Sequence, residues 1–123
     1  MYYITIKGGF SSAHNLRNYC GNCENLHGHN WRVEVTLKGK QLDKDGMLVD
    51  FREAKQWLKD VLSKLDHTYL NKTRPFDKIN PTSENIAAHI FREIRKAAGK
   101  KKKILVHQVR VWESENSAAT YEA

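Results

Sequence analysis

The amino-acid sequence predicts an α+β domain: a four-stranded antiparallel sheet with two helices packed on one face. Three observations lead there. Apolar and polar residues alternate as in strands at 2–14, 27–38 and 105–112, and the tail 117–123 reads as a last short strand. Between these, two stretches ending near Leu65 and Ala98 repeat apolar residues at helical spacing. The order strand–strand–helix–helix–strand–strand, with no internal repeat and no linker, assigns residues 1–123 to one domain.

The first strand carries Tyr2, Ile4 and Ile6 on one parity, and Gly8-Gly9 within it signals a bulge or a close backbone approach. Phe10-Ser11-Ser12-Ala13-His14 continues it, and residues 15–26, rich in Asn, Gly and Cys, form a loop. In the second strand Trp31, Val33, Val35 and Leu37 share a parity with His27 and His29, while Arg32, Glu34, Thr36 and Lys38 take the other. After a turn through Asp43-Lys44-Asp45-Gly46, Met47-Leu48-Val49 reads as a short strand. Asp50 is an N-cap with Glu53 three residues on, as in a capping box, and Ala54, Trp57, Leu58, Val61, Leu62 and Leu65 form the apolar stripe of the first helix. Residues 71–81, with Pro75 and Pro81, are a loop. Thr82 or Ser83 caps the second helix, lined by Ile86, Ala87, Ile90, Phe91, Ile94 and Ala98 and stopped by Gly99; His89 lies off that stripe and is expected to be exposed and no ligand. Lys100 to Lys103 form a solvated loop before the last long strand, whose apolar parity of Val109 and Val111 ends on Glu113. His107 is given no role.

Composition narrows the class. No apolar run approaches the ~20 residues a membrane-spanning helix needs, and the alternating N-terminus lacks a signal-peptide core, so a cytoplasmic location with no membrane partner is expected. Two cysteines, Cys20 and Cys23, are too few for a disulfide framework or a four-cysteine zinc site. A net charge of +7 favours a polyanionic partner: nucleic acid, an anionic surface or a phosphorylated small molecule.

Chemistry concentrates at Cys23-Glu24-Asn25-Leu26-His27-Gly28-His29. In an extended segment His27 and His29 point to one face, which suits a metal with nitrogen ligands, most simply zinc; alone, the pair also fits two satisfied histidines. Asp66 and His67 put a carboxylate beside an imidazole at a helix end, although adjacent side chains seldom bond each other. A half-covered sheet with open edges predicts oligomerisation.

Together the pieces resemble the 6-pyruvoyl-tetrahydropterin synthase superfamily, most closely its 6-carboxytetrahydropterin synthase branch of queuosine biosynthesis. The resemblance rests on Phe10-Ser11-Ser12-Ala13-His14, Cys23-Glu24-Asn25-Leu26-His27-Gly28-His29, Val49-Asp50-Phe51, Leu65-Asp66-His67-Thr68-Tyr69-Leu70-Asn71, Asn80-Pro81-Thr82-Ser83-Glu84-Asn85 and Val111-Trp112-Glu113-Ser114. It implies a tunnelling fold, in which sheets of several copies join into a barrel as trimers stacked into hexamers, with sites at subunit interfaces. It implies that His14, His27 and His29 hold one Zn2+ with a coordination position left open. By the same match Cys23 is the catalytic thiol, Asp66 and His67 handle protons, Glu113 anchors the pterin ring, and Thr82 and Ser83 line its pocket. The implied reaction converts 7,8-dihydroneopterin triphosphate to 6-carboxy-5,6,7,8-tetrahydropterin, acetaldehyde and triphosphate. The alternatives are triphosphate elimination to 6-pyruvoyl-tetrahydropterin and formation of a folate precursor. Cys20 adds a second thiol, and Glu24 occupies a loop where some folate-precursor-forming relatives use glutamate; the spacing of four residues to His27 selects Cys23. Outside the resemblance stand a basic nucleic-acid-binding domain, whose aromatic residues would have to interleave with basic ones and do not, and a non-catalytic zinc scaffold. Direct contact with nucleic acid is therefore not expected.

Overall fold

The computed structural model describes residues 1–17 and 25–123; Cys20, Cys23 and Glu24 lie outside the described residues. Elements run β1 (Tyr2–His14), β2 (His27–Gly39), α1 (Phe51–Ser63), β3 (Thr68–Tyr69), a 3-10 turn (Leu70–Lys72), α2 (Ser83–Ala97), β4 (Leu105–Ser114) and β5 (Ser117–Tyr121).

The sheet has five strands in the order β3-β1-β2-β4-β5. This corrects the four-stranded antiparallel expectation, because β3 pairs parallel to β1 through Ser12 and Ala13 and makes the sheet mixed. Two residues are too few to show alternation, so β3 leaves no trace in the hydrophobic pattern. The β1–β2 pairing is antiparallel and unbroken from Tyr2 opposite Gly39 to His14 opposite His27. β2 pairs on its other side with β4, with an irregularity between Thr36 and Leu37, and β4 pairs with β5.

Both helices cover one face of this sheet, α1 over β1 and α2 over β4 and β5. The alternating set Ile6, Phe10, Trp31, Val33, Val35, Leu37, Val109 and Val111 is buried against Leu58, Leu62, Ile86, Ile90 and Ile94. Each such side chain removed from water contributes roughly 1.5–3 kcal/mol. Gly8 and Gly9 make no bulge. Gly8 is a close approach, since a Cβ there would lie 3.1 Å from both Leu58 Cδ2 and Leu62 Cδ1. A side chain there would crowd Leu58 and Leu62, the residues through which α1 packs on β1.

Asp50 caps α1 by accepting from Arg52 N–H at 2.8 Å, and Thr82 caps α2 by accepting from Asn85 N–H at 3.1 Å. The Glu53 carboxylate reaches Lys101 at 3.4 Å. Met47-Leu48-Val49 is not a strand. The Asp43 carboxylate accepts from the N–H groups of Asp45 and Met47 and curls the segment over Gly46, at φ +80°, while Leu48 and Val49 turn into the core. In the 71–81 loop Phe76 is fully buried and its ring meets His89 edge-on at 5.3 Å. His89 is thus half-buried and not exposed as its position off the stripe suggested.

Gly8→Val should lower stability by about 1–3 kcal/mol through overpacking, read as a lower urea midpoint at unchanged slope. Burial holds the His89 pKa below its ordinary value. The stability this contributes is fully present above the unfolded-state pKa of ~6.5 and is lost as pH falls through the folded value. The wild type should therefore lose more stability than His89→Gln between pH 7.5 and pH 5, in paired urea titrations.

Candidate active site

The register that builds the core also builds a cluster of imidazoles. His14 ends β1 directly opposite His27, which starts β2, and His29 follows two residues on, across from Ser12. All three take the parity of Phe10 and Trp31, so they continue the apolar face to the end of the sheet. Their donor nitrogens lie within 4.8 Å of one another, an arrangement that could hold a metal ion. The rings meet edge to face at centroid distances of 4.6, 5.2 and 4.7 Å. Trp31 walls the cluster from below, 4.9 Å from the His14 ring and 5.2 Å from the His29 ring. Its indole N–H donates to the Ser12 carbonyl at 3.3 Å, which holds the wall to β1.

Two backbone carbonyls decide where the ring protons sit. His14, only 1% exposed, places Nδ1 2.8 Å from the Pro81 carbonyl oxygen. His27 places Nδ1 2.9 Å from the Asn25 carbonyl oxygen. A carbonyl oxygen can only accept, so each Nδ1 carries the proton and each Nε2 its lone pair. Those two Nε2 atoms face each other at 3.1 Å. Nitrogens so close are stable only with a cation between them, either a proton that makes one ring an imidazolium or a metal ion. Backbone partners on the far nitrogens are the usual outer support of metal-binding histidines.

A carboxylate borders the cluster. Glu113 leaves β4 with its oxygens 3.6 Å from His29 Nε2 and 4.0 Å from His14 Nε2. The Ser83 hydroxyl, in the first turn of α2, donates to Glu113 Oε2 at 3.4 Å. Thr82 sits beside Ser83, but its hydroxyl is engaged in capping α2. The chain thus gathers His14, His27, His29, Glu113 and Ser83 in one place.

Asp66 and His67 stand at the neighbouring sheet edge. The expectation that adjacent side chains do not bond fails here. His67 adopts φ +55°, in the left-handed region, and this folds its ring back so that Nδ1 lies 3.0 Å from Asp66 Oδ2. The turn is pinned to β1 twice: Ser11 N–H donates to Asp66 Oδ1 at 2.8 Å, and His67 N–H donates to the Ser11 carbonyl at 2.6 Å. The Ser11 N–H, and after it His67, hold the Asp66 carboxyl below the usual carboxylate range. His67 is exposed and lines a concavity of about 360 Å³ together with Ser11, Ser12, Ala13, Gly28, His29, Asn30 and Thr68. That concavity joins the pair to the cluster's rim. Cys23 lies outside the described residues, four positions before His27.

The sequence did not point to the Pro81 and Asn25 carbonyls or to the Ser11 N–H. Every residue carries such backbone groups, so no residue type marks them. The left-handed turn at His67 carried no signal either, because it occurs at a non-glycine residue.

The fold and cluster define a class: a small α+β domain with three imidazoles able to hold one metal ion and a carboxylate beside them. The chain belongs to the 6-pyruvoyl tetrahydropterin synthase family, whose family model matches residues 3–123. Enzymes of this family are lyases that act on pterins. It is 36% identical to a 6-carboxy-5,6,7,8-tetrahydropterin synthase of Synechocystis, over 98% of this chain and 93% of that protein. It is 38% identical to a dihydroneopterin monophosphate aldolase of Pyrococcus furiosus, over 76% and 75% of the two chains. Among solved structures, Caenorhabditis elegans 6-pyruvoyl tetrahydropterin synthase superposes with a TM-score of 0.83 at 27% identity, covering 100% of this chain and 97% of that one. Among the described residues, no helix is long and apolar enough to cross a membrane.

The Asp66 carboxyl should titrate below 3.8 in a carbon-detected NMR titration. Because the Ser11 N–H is the larger cause, His67→Ala should leave the midpoint depressed. A return to the ordinary aspartate value on that substitution would mean that His67, and not β1, holds the charge.

Proposed function

We propose that the protein is a zinc-dependent lyase that converts 7,8-dihydroneopterin triphosphate to 6-carboxy-5,6,7,8-tetrahydropterin, acetaldehyde and triphosphate, a cytoplasmic step of queuosine biosynthesis. The observation that carries the reading is the convergence of the His14 and His27 Nε2 lone pairs, 3.1 Å apart, with both Nδ1 protons committed to carbonyls. Nitrogens ~2.0–2.1 Å from one tetrahedral zinc sit roughly 3.3 Å apart, so the donor set fits that ion. His14, His27 and His29 are its three ligands, and three protein ligands mark a site left open for chemistry. When bound, the ion would polarise the substrate's side-chain oxygens, and positive charge of that kind favours the thiolate form of a cysteine.

The chain's own groups divide the rest of the work. Glu113, steadied by Ser83, accepts from the ring N–H and amino donors of the pterin and sets its orientation, and Thr82 lines the same pocket at the start of α2. The Cys23 thiolate takes a proton from the substrate side chain. His67, held at Nδ1 by Asp66, has Nε2 left to return one. The +7 charge suits a triphosphate substrate.

The same reading makes the protein a homo-oligomer, a trimer or a hexamer. Its support is the outer edge of β1: β3 covers only Ser12 and Ala13, so that on the side away from β2 Tyr2 to Phe10 have no strand beside them among the described residues. On the other side β5 is the end strand of the sheet. Edges of this kind join copies into a barrel.

Purified protein should hold about one zinc per chain and lose it in His27→Ala. Cys23→Ala should keep the metal while turnover falls by about 10²–10⁴-fold. Incubated with dihydroneopterin triphosphate, the wild type should release acetaldehyde. Pyruvoyl-tetrahydropterin without acetaldehyde would move the protein to the triphosphate-eliminating branch, and 6-hydroxymethyl-dihydropterin to the folate-precursor-forming one. Absence of bound zinc would overturn the metal reading itself.

A further inference from the structure

Arg17 lies three residues beyond His14 and is half-buried. Its guanidinium donates to three backbone carbonyls of a single loop: Asn71 at 3.0 Å, Ile79 at 3.1 Å and Phe76. Its backbone is tied to the same loop a second way. Arg17 N–H donates to Asn80 Oδ1 at 2.9 Å, and Asn80 Nδ2 donates to the Arg17 carbonyl at 3.4 Å. Two residues upstream, Asn15 and Asn71 make the same reciprocal pair, at 2.9 and 2.8 Å. The end of β1 and the 71–80 loop are therefore clamped together along their length, with one cation gathering the loop's carbonyls by charge-assisted bonds.

What the clamp delivers is the next residue. Pro81 follows Asn80, and its carbonyl takes the His14 Nδ1 proton. Asn80 is tied forward as well, its carbonyl accepting from Asn85 Nδ2 at 2.9 Å, so the start of α2, with Ser83 against Glu113, is carried by the same segment. Proline brings no N–H, and nothing in its ring can anchor it by hydrogen bonding. Its carbonyl is aimed by what holds Asn80 on one side and α2 on the other.

We propose that Arg17 is a positioning residue for the histidine cluster: by holding the 71–80 loop it aims the Pro81 carbonyl at His14 and so sets the affinity of the site for its metal. This rests on the reading of the cluster as a zinc site. A purely architectural Arg17 would change melting temperature and leave the metal affinity of folded protein untouched. A positioning Arg17 changes that affinity in protein that is fully folded.

The test uses the full chain and zinc alone, with the dissociation constant measured by chelator competition well below the melting temperature. Arg17→Ala should weaken zinc binding by about 10–100-fold. Arg17→Lys keeps the charge and loses the planar fork that spans three carbonyls. It should stay folded and still bind zinc more weakly, with an altered absorption spectrum when cobalt replaces zinc. Asn80→Ala should cost as much as Arg17→Lys, and the double variant no more than the worse single one, since both act through one clamp. If Arg17→Ala does not fold, the other variants carry the test. Wild-type zinc affinity in folded Arg17→Lys and Asn80→Ala, or losses that simply add, would overturn the proposal. A wild type that binds no zinc would overturn it together with the metal reading, whereas tight wild-type binding with unaffected variants would overturn the clamp alone.

Discussion

The pairing of β1 with β2 is the constraint on which the rest of the structure depends. Its thirteen-residue register brings His14 opposite His27 and, in the same alternation, Phe10 opposite Trp31 and Ile6 opposite Val35. Because strand side chains alternate with period two, a slip of one residue would turn Trp31, Val33, Val35 and Leu37 out of the core together with His27 and His29. Core and site are therefore specified by one decision. Each buried valine or leucine that resists the slip, at roughly 1.5–3 kcal/mol, also resists scattering the imidazoles.

The imidazoles themselves contribute nothing of that kind. Pinning two Nδ1 protons to carbonyls and aiming the Nε2 lone pairs at one point is unfavourable without a cation between them. The surroundings impose it. His14 is buried, Trp31 blocks the rings from tilting downward, and Pro81 and Asn25 hold the far nitrogens. A site assembled this way resists collapse because its walls belong to elements committed elsewhere: Trp31 to the core, and Pro81 to the segment between the Arg17 clamp and the capped start of α2.

What was legible in the sequence follows from this division. Side-chain periodicity showed the long strands, both helices and their caps, and the parity that puts His27, His29 and Glu113 on the covered face. Sequence adjacency marked the Asp66–His67 pair, and the family resemblance added His14 to the metal-ligand set and gave the pair its role. Whatever depends on backbone groups or on tertiary closure stayed invisible. Strand β3 is two residues long, Leu48 and Val49 are apolar without being a strand, and half-buried His89 meets a Phe76 that folds in from a loop. The carbonyls that set the histidine tautomers have no residue-type signature at all.

The Asp66–His67 pair shows how such an invisible feature shapes the chemistry. A left-handed residue between α1 and β3 is needed for the chain to turn back along β1, and with glycine there the turn would form at lower conformational cost. Histidine at that position makes the reversal itself orient the ring, because the same φ that returns the chain brings Nδ1 onto the preceding carboxylate. The carboxylate is in turn held by Ser11 N–H, one residue before the Ser12 that β2 sets against His29. The Asp66–His67 pair is thus indexed to the histidine cluster through the backbone of β1. It stands just before β3 begins its brief cover of that strand, so the groups proposed to move protons lie beside the sheet edge proposed to meet another copy. In the proposed assembly, an exposed His67 at that edge would stand next to the joining copy.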